Sequence, residues 1–262
     1  MVVEVGVVVE VGDGVDPALL GSRVVAWDLQ GSGAYAEYLA ASEQALVVRP
    51  EGVSARDAVA LEVQGAVAMA LVESARVEDG DSVLIEVAAG GVGGYLTQLV
   101  AARAGTRILA TAGSPAKREH ALRSGAAVAV DHYEPDWPEQ IAAALDGPGL
   151  DVVFESIGGA SARRHLDAMT PGSGRMVLYS RLSGQAPDIG LMDLAARGLT
   201  FVGCGSAAWE RRIRAARPEV LALAASGRIR PTIDRVLDLA DAADAHRLVE
   251  ARQAIGKIVL VP

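Results

Sequence analysis

The sequence predicts an α/β fold, a doubly wound parallel sheet covered by helices, joined to a smaller β-rich part. Three observations predict it. From residue 82 to residue 203, short apolar runs alternate with Ala- and Leu-rich helical stretches, a rhythm that implies right-handed crossovers and a parallel sheet buried on both faces. The run Val83-Leu84-Ile85-Glu86-Val87-Ala88-Ala89-Gly90-Gly91-Val92-Gly93 takes one such strand into a turn of tiny residues, and a helix follows at once. Residues 2–50 read as β instead.

In order, residues 2–11, 23–27 and 35–40 are short valine-rich or alternating runs, punctuated by Gly12-Asp13-Gly14 and Gly31-Ser32-Gly33. Ser54 is an N-cap for a long helix ending near residue 75, and Asp79-Gly80 turns the chain into the next strand. Strands then fit 82–87, 106–111, 127–130, 151–155, 175–179 and 199–203. Helices fit 91–104, 116–124, 137–145, 160–169 and 191–197. A helix at 210–225, a strand at 235–239, a helix at 242–251 and a strand at 258–261 complete the chain. No internal repeat or low-complexity tract interrupts it.

The 262 residues can bury a substantial core, and with 51% apolar but 4% aromatic residues Ala, Val and Leu must pack it. A net charge of -9 argues against nucleic acid or an anionic membrane as partner, so any phosphate site must be built locally. The single cysteine, Cys204, excludes an intramolecular disulfide and a thiolate zinc cluster. His120, His132, His165 and His246 show no metal-ligand spacing, so no metal site is expected. The first residues carry acids and no basic segment, and no apolar stretch reaches bilayer length without a charge; a cytoplasmic protein is the expectation. The basic cluster Arg211-Arg212-Ile213-Arg214 reads as a solvated helix face.

The glycine turn carries the chemistry. Ala88, Ala89, Gly90, Gly91, Val92 and Gly93 form an A-x-G-x-x-G pattern between strand and helix. Glycines permit the sharp turn and a close backbone approach, and the helix N-terminus offers free N–H groups and a positive dipole end, which suits a diphosphate. An acid ending the second strand would select NAD by binding the ribose hydroxyls. Here Ala112 holds that position, Ser114 follows, and Lys117 lies one helical turn on, a set that would accept a 2′-phosphate.

With these motifs in order, the chain resembles the medium-chain dehydrogenase/reductase superfamily, specifically its zinc-free quinone oxidoreductase and enoyl reductase branch. Besides the glycine turn, the matching stretches include Gly33-Ala34-Tyr35-Ala36-Glu37-Tyr38, Asp151-Val152-Val153-Phe154-Glu155-Ser156-Ile157-Gly158-Gly159, Gly174-Arg175-Met176-Val177-Leu178-Tyr179 and Gly256-Lys257-Ile258-Val259-Leu260. The resemblance implies a Rossmann dinucleotide-binding domain at residues 54–229. It also implies a β-rich, GroES-like catalytic domain, of which residues 1–53 and 230–262 would be a truncated remnant. NADPH is the implied cofactor. Ser114 and Lys117 are expected on its 2′-phosphate, His132 or Tyr133 beside the adenosine, and Ser156 among the other contacts. A homodimer paired through the last sheet strand, near 199–203, is also implied.

The family's usual nicotinamide-end residues are altered. No threonine stands in the helical segment 61–70, where Glu62 and Gln64 occur instead, and Ser180-Arg181 replaces a small pair after the strand at 175–179. The expected activity is zinc-independent hydride transfer from NADPH to a quinone or an unsaturated carbonyl, with Glu62, Tyr179 and Arg181 as catalytic candidates. Tyr35 and Tyr38 are expected to be packing residues. Two alternatives stay open: a non-redox cyclase, isomerase or lyase using Glu62 and Arg181, and an NADPH-binding partner subunit without catalysis.

Overall fold

The computed structural model describes residues 2–28 and 33–262. Met1 and residues 29–32, including the Gly31-Ser32 pair of the expected turn, lie outside the described residues. The chain runs β1 (Val2–Val7), β2 (Arg23–Asp28), β3 (Leu46–Val48), α1 (Ala55–Ala75), β4 (Ser82–Ile85), α2 (Gly93–Ala101), β5 (Arg107–Thr111), α3 (Pro115–Arg123), β6 (Val128–Val130) and α4 (Trp137–Ala143). It continues with β7 (Val152–Glu155), α5 (Ala160–Leu166), β8 (Arg175–Leu178), α6 (Leu191–Arg197), β9 (Thr200–Gly203), α7 (Ala207–Ala225), β10 (Ile233–Asp238), α8 (Ala242–Glu250) and β11 (Lys257–Val261). Two compact units result, one of Met1–Val67 with Ile213–Pro262, the other of Ala68–Arg212. Their boundaries fall inside α1 and α7.

The second unit holds a six-stranded sheet in the order β6-β5-β4-β7-β8-β9, parallel throughout. The order reverses between β4 and β7, the switch point outside whose carboxyl ends ligands bind in open α/β sheets. Val83, Leu84 and Ile85 of β4 and Val152, Val153 and Phe154 of β7 are all fully buried. Consecutive burial of that kind means both faces of the sheet are covered, as the unbroken apolar runs predict. On one side Leu84, Leu109, Val153, Met176, Trp137 and Ile141 form a continuous core.

The first unit holds an antiparallel sheet β1-β2-β3 and a parallel pair β10-β11. Ser54 caps α1: its Oγ accepts the Asp57 N–H at 3.0 Å and donates to the Asp57 carboxylate at 2.7 Å. Gly65 leaves room for the packing here, since a Cβ would lie 2.7 Å from both Leu61 Cδ1 and Val220 Cγ2 and would force those side chains to shift. Small residues let the two helices approach, and Val25, Val53, Ala58 and Leu221 close the core around them.

One buried ion pair organises this unit. Glu62 is fully buried and paired with Arg217, which is 2% exposed. Arg217 also donates to the Ala45 carbonyl at 2.9 Å and the Val25 carbonyl at 3.4 Å, and its guanidinium lies 5.5 Å from the centre of the Trp27 ring. The helix α1 is long and apolar enough to cross a membrane by length and composition, yet most of it is buried within the protein. It is read as a core helix.

Two expectations are corrected here. The run 35–40 forms bends instead of a strand. Tyr35 and Tyr38 are exposed, at 55% and 76%, so neither is a packing residue; Tyr35 instead hydrogen-bonds His246 at 2.9 Å. An alternating pattern makes a strand only where a neighbouring strand can accept its ladder. Conversely β3, which sequence reading left unassigned, forms because Leu46–Val48 pairs with β2.

Because a buried charge stripped of its partner is costly, Arg217→Ala should lower stability by about 3–5 kcal/mol in urea denaturation. The double variant Glu62→Gln/Arg217→Met should recover much of that loss. A double variant as unstable as the sum of its singles contradicts the pairing.

Candidate functional site

The turn between β4 and α2 is built on a strained residue. Val87 has φ +52°, a left-handed conformation that β-branched side chains rarely take. Thr111, at the end of β5, pins it: the Val87 N–H donates to Thr111 Oγ1 at 3.2 Å and the Ala88 N–H to the Thr111 carbonyl at 3.0 Å. A Cβ on Gly93 would lie 2.3 Å from the Val87 carbonyl oxygen and 2.9 Å from Ala88 Cα, so only glycine fits. At Gly90 the same carbonyl would be 3.2 Å away. Ala88, Ala89 and Gly93 are buried, whereas Gly90, Gly91 and Val92 are half-buried. Val92, the N-cap of α2, supplies no side-chain acceptor. The Gly94 and Tyr95 N–H groups donate to the Gly90 and Val92 carbonyls at 3.0 and 3.1 Å, so it is the N–H groups at the turn itself, up to Gly93, that face an anion. The arrangement fits a diphosphate.

The second strand leads to the neighbouring anion site. Ala112 is buried, and Ser114 caps α3 by accepting the Lys117 N–H at 3.4 Å. Pro115 opens the helix, and its first turn holds no acid. Lys117 is half-buried on that turn. Asp131, the carboxylate beside the turn 131–133, is taken up by Arg118 and by the Tyr133 N–H. His132 and Tyr133 stack edge to face with centroids 4.5 Å apart, and a Cβ on Gly113 would strike Tyr133 Cε2 at 2.5 Å. The structure therefore brings Gly113, Ser114, Lys117, His132 and Tyr133 to one corner, and their donors suit a phosphate beside an adenosine.

At the carboxyl ends of β7 and β8 lie Ser156, Tyr179 and Arg181. The Tyr179 N–H donates to the Glu155 carbonyl at 3.1 Å. Its phenol lies near Ser156, whose buried Oγ has no hydrogen-bond partner among the described residues. Burial pushes this phenol above its ordinary range, the Ser156 contact opposes the shift, and Glu86 and Glu155 add to it. Tyr179 is thus a reluctant acid but a good hydrogen-bond donor. Arg181 is exposed.

Glu62, expected as an acid–base candidate, is held in a buried ion pair. It belongs to the first unit and is engaged by Arg217; burial raises its carboxyl, and Arg217 counters that shift by charge and hydrogen bond. Its other oxygen has no partner among the described residues. That unit also contains an apolar cleft of about 1330 Å³ lined by residues such as Val5, Val24, Val59 and Gln64, with Glu62 outside its walls.

Four residues here escaped sequence reasoning. Thr111 is one; Glu86, Glu155 and His165 are the others, all buried. A charged residue inside an otherwise apolar buried run, as in Val83-Leu84-Ile85-Glu86 and Val152-Val153-Phe154-Glu155, was the available signal. Among the described residues, no three His, Cys, Asp or Glu side chains form a metal set.

A family model for zinc-binding dehydrogenases matches residues 124–260. The probable quinone oxidoreductase of Schizosaccharomyces pombe is 34% identical over 265 residues, covering 98% of this chain and 78% of its own length. The 2-haloacrylate reductase of a Burkholderia species is 30% identical over 265 residues, with the same two coverages. The Escherichia coli quinone oxidoreductase, solved in complex with NADPH, superposes with a TM-score of 0.88 at 27% identity, over 98% of this chain and 80% of its own.

Cys204, just past β9, is half-buried, and burial lifts its thiol to about 11 although Arg212 pulls the other way. Alkylation by iodoacetamide at pH 8 should run about a hundredfold slower in the folded protein than after denaturation. Equal rates contradict this placement.

Proposed function

We infer the function of this chain from its family and its site: it belongs to the quinone oxidoreductase branch of the medium-chain dehydrogenase/reductase superfamily, and we propose that it is an NADPH-dependent reductase of quinones or activated double bonds. The observation that carries the cofactor choice is the corner after β5. A carboxylate there would repel a 2′-phosphate; Ala112, the Ser114 hydroxyl and the Lys117 ammonium favour one.

NADPH, when bound, supplies the hydride. The chain's residues do the rest. Backbone N–H groups at Gly91, Val92 and Gly93 hold the diphosphate, Ser114 and Lys117 hold the 2′-phosphate, and His132 and Tyr133 flank the adenosine. Ser156 and Tyr179 donate hydrogen bonds at the carboxyl ends of β7 and β8. Arg181 stabilises negative charge developing on a substrate oxygen, a task for a cation. Glu62 serves the fold through Arg217, which removes the acid that the non-redox alternative needs. The reaction is proposed to be zinc-independent, since the buried carboxylates and histidines are engaged with protein partners.

Residues 54–229 are proposed as the cofactor domain, and residues 1–53 with 230–262 as the substrate-side domain. A homodimer is proposed through β9, an edge strand that leaves Phe201 39% exposed. The working compartment is proposed to be the cytoplasm.

Oxidation of NADPH by 1,4-benzoquinone or a simple enone should be catalysed, with NADH a poor substitute. Lys117→Ala should raise the NADPH dissociation constant about tenfold, as expected for one charge-assisted contact, and leave that for NADH unchanged. Equal use of both cofactors, with no effect of Lys117→Ala, contradicts the assignment; tight NADPH binding without turnover would leave the partner-subunit alternative.

A further inference from the structure

Two carboxyl groups meet at the switch point of the sheet. Glu86 follows β4 and Glu155 ends β7, strands that are neighbours in the sheet, and both side chains are fully buried. Glu86 is saturated with donors. Its Oε2 accepts the Ser156 N–H at 2.7 Å and the Ile157 N–H at 3.1 Å, while its Oε1 accepts Ser161 Oγ at 3.0 Å and His165 Nε2 at 2.8 Å. Four donors on one carboxyl identify it as the anion.

Glu155 is placed otherwise. Its Oε1 accepts the Ile157 and Gly158 N–H groups at 3.1 and 2.6 Å, but its Oε2 is buried without a donor among the described residues. Both carboxyls accept the same Ile157 N–H, each at 3.1 Å, which holds the two groups close together at the turn. Two buried carboxyl groups gathered on one N–H are costly to ionise together, and of the two only Glu155 has an oxygen without a donor to carry a proton. The titratable groups that face Glu155 are Glu86 and, from beyond β8, Tyr179; His165 on α5 reaches the pair through Glu86.

We propose that Glu86 and Glu155 share one buried proton, and that this proton holds the turn Ser156-Ile157-Gly158 in its cofactor-binding shape. Both carboxyls grip that turn by its backbone N–H groups, so a second negative charge would force them apart and take the turn with them. Glu155 is a positioning residue in this scheme. The consequence for the cofactor rests on the reading of Ser156 as a cofactor contact.

Burial and the Glu86 charge raise the Glu155 carboxyl to about 8, against the Gly158 N–H, which pulls it down. The sign follows directly. A group whose folded-state value is raised stabilises the fold fully below its ordinary range, near 4.5, and that contribution is lost as pH rises through about 8. Glu155→Gln keeps a donor facing Glu86 but cannot ionise.

The test pairs infrared spectroscopy of the free protein with NADPH titration by fluorescence. In the wild type, a protonated-carboxyl band should disappear between pH 7 and pH 9, and it should be absent from Glu155→Gln. The wild-type NADPH dissociation constant should rise about tenfold over the same interval, while that of Glu155→Gln stays at the wild-type pH 7 value. A missing band, or parallel pH profiles for the two proteins, overturns the proposal. If Glu155→Gln does not fold, the wild-type infrared titration decides the shared proton alone. If the band titrates but NADPH binds at no pH, the proton-held turn stands and the cofactor reading falls.

Discussion

The chain passes from β4 to α2 through a single strained residue, and much of the cofactor-binding half depends on what holds it. A valine at φ +52° costs of the order of 1–3 kcal/mol unless its surroundings dictate the conformation. Thr111 dictates it, with its hydroxyl on the Val87 N–H and its carbonyl on the Ala88 N–H. Gly93 then packs against the Val87 carbonyl where no side chain fits. Because Thr111 is also the last residue of β5, the same residue sets the path of Ala112 and Ser114 into α3. One threonine thereby fixes both helix N-termini that face the proposed cofactor.

A chain with a net charge of -9 must bind an anion without spending many cations on it. The sites proposed for that anion use backbone dipoles at two helix ends, and acids near them have partners of their own. Asp131 is tied to Arg118, and Glu86 to two backbone amides, Ser161 and His165. In the other unit, Arg217 plays the corresponding part for Glu62 and for two carbonyls. Burial makes each of these contacts strong and each unpaired member costly.

The sheet was legible because its strands are unbroken apolar runs, and β4 and β7 are buried on both faces as such runs demand. The glycine turn and the corner at Ser114 and Lys117 were legible because their chemistry lies within a few residues of sequence. The partner of Glu62 is 155 positions away, and no local pattern announces that pairing. Glu86 and Glu155 are 69 positions apart in sequence, and only the β4–β7 pairing brings them together. Tyr35 and Tyr38 alternated as a strand should, yet β pairing is decided by the neighbouring strand, which local sequence does not contain. Long-range pairing, not composition, is what the residues alone could not supply.

The most direct measurement is a crystal structure of the protein soaked with NADPH. The account predicts the diphosphate across the N-terminus of α2, against the N–H groups of Gly91 to Gly93, and the 2′-phosphate between Ser114 and Lys117. A diphosphate seated elsewhere, or a 2′-phosphate turned to solvent away from Lys117, would contradict it.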